Sequence, residues 1–278
     1  LLGSPVAHSI SPLMHNESFR LLGLDYVYLC FDVNEETLPA AVAGLKTCGI
    51  RGFNLTMPNK NKIVELLDEL SPEAQLIGAV NTVLNDNGKL IGYNTDGYGF
   101  MQSVRDAGHD ITGKNITVMG VGGASMAICA QSALDGAASV HIFARRTSRY
   151  WNRTQKFAEN LSAKTGCQVC LFDNDDHTAL RDSIAQSYLL INATSVGMVP
   201  DIDDTIIKDT SLFHPELVVA DVVYEPQETR LLREAKATGC QTFNGMYMLL
   251  HQGAKAFQIW TGQEMPVSVI KEKYFSVK

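Results

Sequence analysis

The sequence predicts an α/β fold in two lobes, and three observations predict it. From Asn115 onward, short apolar strands alternate with helical stretches, the pattern of a parallel sheet with helices packed on it. The strand at 116–119 runs straight into Gly120-Val121-Gly122-Gly123-Ala124, which opens a helix of small residues at 125–134. Before it lies a separate series of strands and helices, joined to the second by a helix at 97–107.

Taken in order, Leu1-Leu2-Gly3 reads as the end of a strand. Ser11-Pro12 opens a helix through Met14, Phe19 and Leu22, with Ser11 as N-cap and the proline at the first helical position. Residues 26–33 read as a strand, 38–45 as a helix, 52–57 as a strand and 60–70 as a helix. Strands at 79–84 and 89–93 form a hairpin around Asn85-Asp86-Asn87-Gly88. In the second unit, strands are expected at 140–143, 168–172, 189–192 and 218–221. Helices are expected at 154–164, 178–183 and 228–238, and the stretch 246–260 is apolar and helical. The expected division is 1–96, completed by C-terminal helices within 246–278, and 97–245.

At 278 residues the chain is long enough for one large domain or two ordinary ones. Its 45% hydrophobic and 19% charged residues are those of a core-forming globular protein. A net charge of −7 leaves no broad basic surface, which argues against a nucleic-acid partner. No apolar run approaches the roughly 18 residues of a membrane span, so no membrane partner is expected. The chain opens on Leu1 rather than methionine, which reads as a short missing N-terminal piece. Of the six cysteines only Cys167 and Cys170 are close, in a strand-like run that turns them to opposite faces. With no second pair, and no histidine beside a metal-like neighbour, no metal is expected. Reduced, buried cysteines fit a cytoplasmic protein.

A lone G-x-G turn is weak evidence, but here it follows a strand and opens a helix. Gly120 allows the tight turn and Gly122 lets the backbone approach a pyrophosphate at the helix N-terminus, so this lobe reads as Rossmann-type. The usual third small position falls on Ser125. About 20 residues past such a turn an acid commonly binds a ribose hydroxyl. Here the chain reads Ala144-Arg145-Arg146-Thr147-Ser148-Arg149, and three arginines suit a 2′-phosphate. A solvated basic loop is the plainer alternative.

Lys60 follows Met57-Pro58, and proline favours the first position of a helix. A lysine in the first turn faces the positive end of the helix dipole, at a cost of roughly 0.3–1 kcal/mol. Accepting such a local cost suggests function. Asp96, in Gly92-Tyr93-Asn94-Thr95-Asp96-Gly97, is its candidate partner for proton transfer. A helix N-cap is the alternative use of that aspartate. Ser9 and Ser11 place two hydroxyls on one side of an extended segment, unless Ser11 only caps its helix. Asn81 interrupts an apolar strand, so its amide either pins backbone or meets a polar ligand. Gln252 breaks an apolar helix, where surface exposure is the ordinary reading.

Together these segments resemble the shikimate dehydrogenase family, in order and over nearly the whole chain. The resemblance rests on Ser4-Pro5-Val6-Ala7-His8-Ser9-Ile10-Ser11-Pro12, Asn54-Leu55-Thr56-Met57-Pro58-Asn59-Lys60 and Gly78-Ala79-Val80-Asn81-Thr82. It continues through the Gly92, Gly120 and Asn192-Ala193-Thr194-Ser195 segments, Asp221-Val222-Val223-Tyr224, and Met248 to Ala254. It implies an N-terminal α/β substrate domain beside the Rossmann-type domain, and reversible NADP- or NAD-dependent reduction of 3-dehydroshikimate to shikimate. By family motif, Lys60 is the proton donor and acceptor, and Asp96 its partner and a substrate ligand. Ser9, Ser11, Thr56, Asn81, Tyr224 and Gln252 are implied as further substrate ligands. Gly120, Val121, Gly122, Gly123, Ala124, Ala144, Arg145, Arg146, Arg149, Val222 and Gly245 are implied as cofactor contacts. Aromatic amino-acid biosynthesis in the cytoplasm is the implied setting, and a homodimer is compatible with it.

Two markers of branch disagree. The family's Asn-Arg-Thr reading of the adenosine phosphate is here Ala144-Arg145-Arg146. Met57-Pro58-Asn59-Lys60 is closer to the quinate/shikimate branch, which also takes quinate and NAD, yet Thr147 stands where that branch tends to carry an acid. Two other classes stay open: a folate-linked dehydrogenase of similar build, and a non-catalytic regulator that binds shikimate or quinate. Paired hydroxyls at Ser9 and Ser11 suit a small carboxylate better than a pterin, and a sensor needs neither Lys60 nor Asp96.

Overall fold

In the computed structural model, which describes residues 1–275, the chain divides into two compact units, Leu1–Gly99 with Leu249–Lys278, and Phe100–Met248. Residues 276–278 of the expected 246–278 segment lie outside the described residues.

The first unit opens with β1 (Leu2–Gly3), α1 (Ser11–Leu21), β2 (Phe31–Asp32), α2 (Leu38–Thr47) and β3 (Gly52–Asn54). A 3₁₀ turn at Lys62–Leu66 leads to β4 (Glu69–Leu70), α3 (Pro72–Ile77), β5 (Thr82–Asp86), β6 (Lys89–Tyr93) and the start of α4 (Asp96–Asp106), whose residues from Phe100 on belong to the second unit. Four strands form a mixed sheet in the order β3-β5-β6-β4, antiparallel except where β4 meets β6, while β1 and β2 pair in parallel. The hairpin β5-β6 turns at Asn87 and Gly88, both at positive φ (52° and 93°), a conformation that asparagine and glycine tolerate. Leu2, Leu38, Phe53, Leu55, Ile63, Val80 and Val83 fill the core beneath the sheet.

Four expectations fail here. The strand expected at 26–33 shrinks to Phe31–Asp32. The reason is that Asn16, on α1, takes the backbone of Tyr28 instead, accepting its N–H at 2.7 Å and donating to its carbonyl at 2.9 Å. The strand expected at 52–57 ends at Asn54, with Leu55 bridging Leu2. The helix expected at 60–70 shrinks to the 3₁₀ turn at Lys62–Leu66, because Asp68 N–H donates to Leu90 and Ser71 N–H to Gly92, so the sheet claims the rest of this backbone. Lys60 therefore precedes this short 3₁₀ turn instead of sitting in the first turn of an α-helix. Lastly, Ser11 is the first residue of α1, whose N-cap is Ile10 without a side-chain cap. The sequence reading also missed α3, capped by the Ser71 hydroxyl accepting the Ala74 N–H at 3.3 Å.

The second unit alternates as expected: β7 (Asn115–Met119), α5 (Gly123–Leu134), β8 (Ser139–Ala144), α6 (Trp151–Thr165), β9 (Gln168–Asp173), α7 (His177–Gln186), β10 (Leu189–Asn192), β11 (Val218–Asp221), α8 (Arg230–Ala237) and a strand the sequence reading missed, β12 (Gln241–Asn244). All six strands are parallel, in the order β12-β11-β10-β7-β8-β9. That order reverses direction between β7 and β10, the doubly wound arrangement whose ligands lie at the carboxyl ends of the strands. β10 and β11 are buried at every position, which is why they read as unbroken apolar runs. The chain ends in α9 (Met246–Thr261) and α10 (Val267–Tyr274). Among the described residues no helix is long and apolar enough to cross a membrane.

Candidate active site

Lys60 closes a turn. The Thr56 carbonyl accepts the Asn59 N–H at 2.9 Å, and the carbonyl of Lys60 accepts the Val80 N–H at 2.8 Å. Buried Asn59 fastens the same turn to the chain just after β2 by donating to the Val33 carbonyl at 2.7 Å. With its backbone held, Lys60 extends Nζ to 2.6 Å from Asp96 Oδ2. The side chains are 27% and 8% exposed, so the pair keeps more of its attraction than a solvated one does. Asp96 heads α4, where a carboxylate is favoured by the helix N-terminus.

Asn81 decides how Asp96 is turned. Its Nδ2 lies 2.8 Å from Asp96 Oδ1, 2.9 Å from Thr95 Oγ1 and 3.3 Å from Gln252 Oε1. Its Oδ1 accepts the Thr95 N–H at 2.8 Å. Asn81 is 2% exposed, so these internal partners are obligatory, and the amide both pins backbone and fixes the carboxylate. Gln252 is not a free surface residue. Its Nε2 donates to the Leu249 carbonyl at 2.9 Å, and its own carbonyl accepts the Thr95 hydroxyl at 3.0 Å. A cation, a carboxylate and two amides thus converge, the equipment for moving a proton at a substrate oxygen and holding the hydroxyls around it.

Thr56 opens the turn that Lys60 closes, while Ser9 precedes α1 and Ser11 is its first residue, all in the same unit. Ile10 between the serines is helical (φ −77°, ψ −12°), so the extended geometry expected for the pair fails. Instead Ser9 Oγ accepts the Ser11 N–H at 3.2 Å. Sequence reasoning missed Asn54 and Thr95. Asn54 accepts the Tyr28 hydroxyl at 2.7 Å and donates to the Asn81 carbonyl at 3.0 Å, a layer behind the site. A polar residue buried at a strand end was the available signal.

In the second unit the glycine turn has the shape of a dinucleotide cradle. Gly120 lies at φ +109°, and a Cβ there would fall 2.8 Å from Thr194 Cγ2 and 3.0 Å from the Ala193 carbonyl oxygen. A Cβ on Gly122 or Gly123 would meet nothing within 4 Å, which leaves open room before α5. Gly122 caps α5 with no side-chain bond, so the first N–H groups of the helix face that room. Ser125, the departure from the usual small residue, is fully buried and donates to the Gly120 carbonyl at 2.5 Å, closing the turn from behind. These residues fit a pyrophosphate. Past Ala144, Arg146 stacks on Trp151 at 4.6 Å and Arg149 on Tyr150 at 4.7 Å, so two of the three arginines are already engaged. A Cβ on Gly245 would fall 2.1 Å from the Val222 carbonyl oxygen, which leaves only glycine there. Tyr224 follows β11 and is 40% exposed. All six cysteines are free, and among the described residues no three His, Cys, Asp or Glu side chains gather as metal ligands.

Comparison with known proteins turns this geometry into an assignment. Residues 1–83 match the family model of the shikimate dehydrogenase substrate binding domain, and residues 245–273 that of the shikimate 5'-dehydrogenase C-terminal domain. A protein of Listeria innocua serovar 6a named shikimate dehydrogenase (NADP(+)) is 52% identical over 99% of this chain and 94% of its own. The chain belongs to the shikimate dehydrogenase family. The shikimate 5-dehydrogenase of Listeria monocytogenes, solved with shikimate and NAD, superposes with a TM-score of 0.94 at 51% identity, over 98% of this chain and 93% of that one. The quinate dehydrogenase of Corynebacterium glutamicum, solved with NAD, gives 0.87 at 31% identity, over 99% and 97%. Like its shikimate dehydrogenase relatives, the chain carries an N-terminal α/β domain and a Rossmann-type domain.

Proposed function

We propose that this shikimate dehydrogenase family member interconverts 3-dehydroshikimate and shikimate with NADP, and with NAD as a second cofactor. The observation that carries the reading is the Lys60–Asp96 pair, 2.6 Å apart and oriented by Asn81, in a chain 52% identical to a shikimate dehydrogenase (NADP(+)). When bound, the nicotinamide supplies or receives the hydride. Lys60 gives a proton to the ketone oxygen in reduction and takes it back from the hydroxyl in oxidation. Asp96 keeps Nζ in place and accepts from a substrate hydroxyl. Asn81, Thr56, Tyr224 and Gln252 hold further hydroxyls, and Ser9 and Ser11 the carboxylate.

Residues 120–124 would take the pyrophosphate, and Val222 and Gly245 the nicotinamide half. Arg145, with Arg146 and Arg149 swung from their rings, would meet the adenosine phosphate beside Ala144. In domain terms, residues 1–96 with the C-terminal helices hold substrate and 97–245 hold cofactor. The same reading makes the protein a cytoplasmic enzyme and a homodimer, checked by cell fractionation and sedimentation.

The test mixes protein, shikimate and NADP⁺ and follows the absorbance of the reduced nicotinamide. Steady growth is expected, and its absence with both cofactors and with quinate would sink the reading. A matrix of shikimate and quinate against NADP⁺ and NAD ranks the pairs.

A further inference from the structure

The segments Asn192-Ala193-Thr194-Ser195 and Asp221-Val222-Val223-Tyr224 carry two residues, Asn192 and Asp221, to which the family motif gives no role above. In the structure they meet. Asp221 ends β11 with 0% exposure, and its partners are neutral. Its Oδ1 accepts the Asn192 amide at 3.0 Å and the Val223 N–H at 2.9 Å, and its Oδ2 accepts the Thr229 hydroxyl at 2.8 Å. Burial pushes this carboxyl above its ordinary range, and the three donors oppose that. A carboxylate kept in such a place costs stability that a well-packed apolar side chain would not.

Each partner leads to a loop at the carboxyl edge of the sheet. Asn192 shapes the turn after β10, accepting the Thr194 N–H at 3.1 Å and hydroxyl at 2.7 Å and donating to the Val196 carbonyl at 3.1 Å. That turn presses on Gly120, where a Cβ would lie 2.8 Å from Thr194 Cγ2. Val223 accepts the Gly245 N–H at 3.4 Å, and Gly245 in turn lies against Val222. Thr229 caps α8. One carboxylate thus ties together the loops that follow β7, β10, β11 and β12. In a doubly wound sheet the dinucleotide lies across these strand ends. With the pyrophosphate at the Gly120 turn and the adenosine ribose at the end of β8, the β10–β12 half is left for the nicotinamide.

We propose that Asp221 is a positioning residue for the nicotinamide half of the cofactor site, acting through Asn192 and Val223 without touching the cofactor. Its role is shape held by hydrogen bonds, not charge. The inference rests on the cofactor reading above, so native protein is measured first. Calorimetry of NADP⁺ without substrate, and of shikimate without cofactor, gives the two affinities separately. Native protein that binds neither NADP⁺ nor NAD defeats the cofactor reading and takes this proposal with it.

If NADP⁺ binds, Asp221→Ala should weaken its affinity about ten-fold or more, the cost of leaving buried donors unpaired, and leave shikimate affinity within about two-fold. Asp221→Asn, which accepts the same N–H groups and can donate to Thr229, should stay within about three-fold of native for NADP⁺. Native NADP⁺ affinity in Asp221→Ala overturns the proposal. So does an equal loss of both affinities, the mark of general unfolding, or a loss in Asp221→Asn as large as in Asp221→Ala. Should Asp221→Ala fail to fold, Thr229→Val decides, since it removes one donor, and the α8 cap with it, while keeping the side chain's size. NADP⁺ affinity lower by about three-fold with shikimate affinity intact supports the proposal, and unchanged NADP⁺ affinity overturns it.

Discussion

Asp96 and Asp221 are both buried carboxylates, 6% and 0% exposed, yet they are satisfied in opposite ways. Asp96 has the Lys60 ammonium at 2.6 Å and the Asn81 amide at 2.8 Å. Asp221 has an amide, a backbone N–H and a hydroxyl. Removing charge from one of them should therefore matter far more than from the other. The difference also separates the units by the kind of order they need. The Lys60 region is built from side chains that meet, as proton transfer requires. The Gly120 region is built from side chains that are missing, and its polar hub lies behind the loops.

Lys60→Ala should have the largest effect. Protonating a developing alkoxide belongs to the transition state, so kcat should fall roughly 10²- to 10⁴-fold while shikimate affinity changes little. If turnover stays near native and only KM rises, Lys60 is a binding residue and the two carboxylates are more alike than argued. Asp96→Asn comes next. It keeps the shape but leaves the ammonium without its counter-charge, for which the cost of breaking a buried pair, roughly 3–5 kcal/mol, is an upper bound at this partly exposed site. A kcat loss of about 10²-fold is expected. Equal tolerance of Asp96→Asn and Asp221→Asn would erase the distinction.

The Rossmann-type unit was legible because its strands are continuous buried runs and its glycines answer to backbone geometry. The first unit was less so. Met57-Pro58 imitates the start of a long α-helix through Lys60, while the pairing of residues 68–71 with β6 leaves only the 3₁₀ turn at Lys62–Leu66. Pairing between distant segments leaves no local trace. Asn81 and Gln252 were visible as polar interruptions of apolar runs, but the Thr95 link between them is a tertiary fact. Asp221 was hidden for the same reason, since its partners stand at 192, 223 and 229.

A third buried ionisable group has no hydrogen-bond partner at all. His15 is fully buried among Tyr28, Phe19, Phe257 and Trp260, stacked on Tyr28 at 4.4 Å, and neither ring nitrogen has a hydrogen-bond partner. Burial lowers its pKa from the ordinary 6.5 to about 3. Above pH 6.5 the ring is neutral in both folded and unfolded chains, and it adds no pH dependence. Between 6.5 and about 3 only the unfolded chain takes the proton, so stability falls as pH falls. At about 1.4 kcal/mol per pH unit, this group alone should cost about 2 kcal/mol between pH 7 and pH 5. Urea unfolding at both pH values should show that extra loss in native protein and not in His15→Leu. Equal losses would mean that the ring is not buried neutral.

The smallest effect is expected at the arginines, where solvent rather than burial governs the charge. Exposed charge pairs contribute little individually, so each arginine should favour NADP over NAD only several-fold. Arg146 and Arg149 must also leave Trp151 and Tyr150, cation–π contacts worth about 0.5–1 kcal/mol at exposed sites. Arg145 carries neither cost, and no acid lies between Ala144 and Arg149 to repel a phosphate. Native protein should therefore use NADP with a moderate preference that shrinks in high salt, as screening of exposed charges requires. In the double variant Arg145→Ala, Arg149→Ala, kcat/KM should fall about ten-fold for NADP and little for NAD. Native preference for NAD, with NADP use unaltered in the double variant, would mean that this loop is a solvated basic surface and that cofactor choice lies elsewhere in the sheet's carboxyl edge.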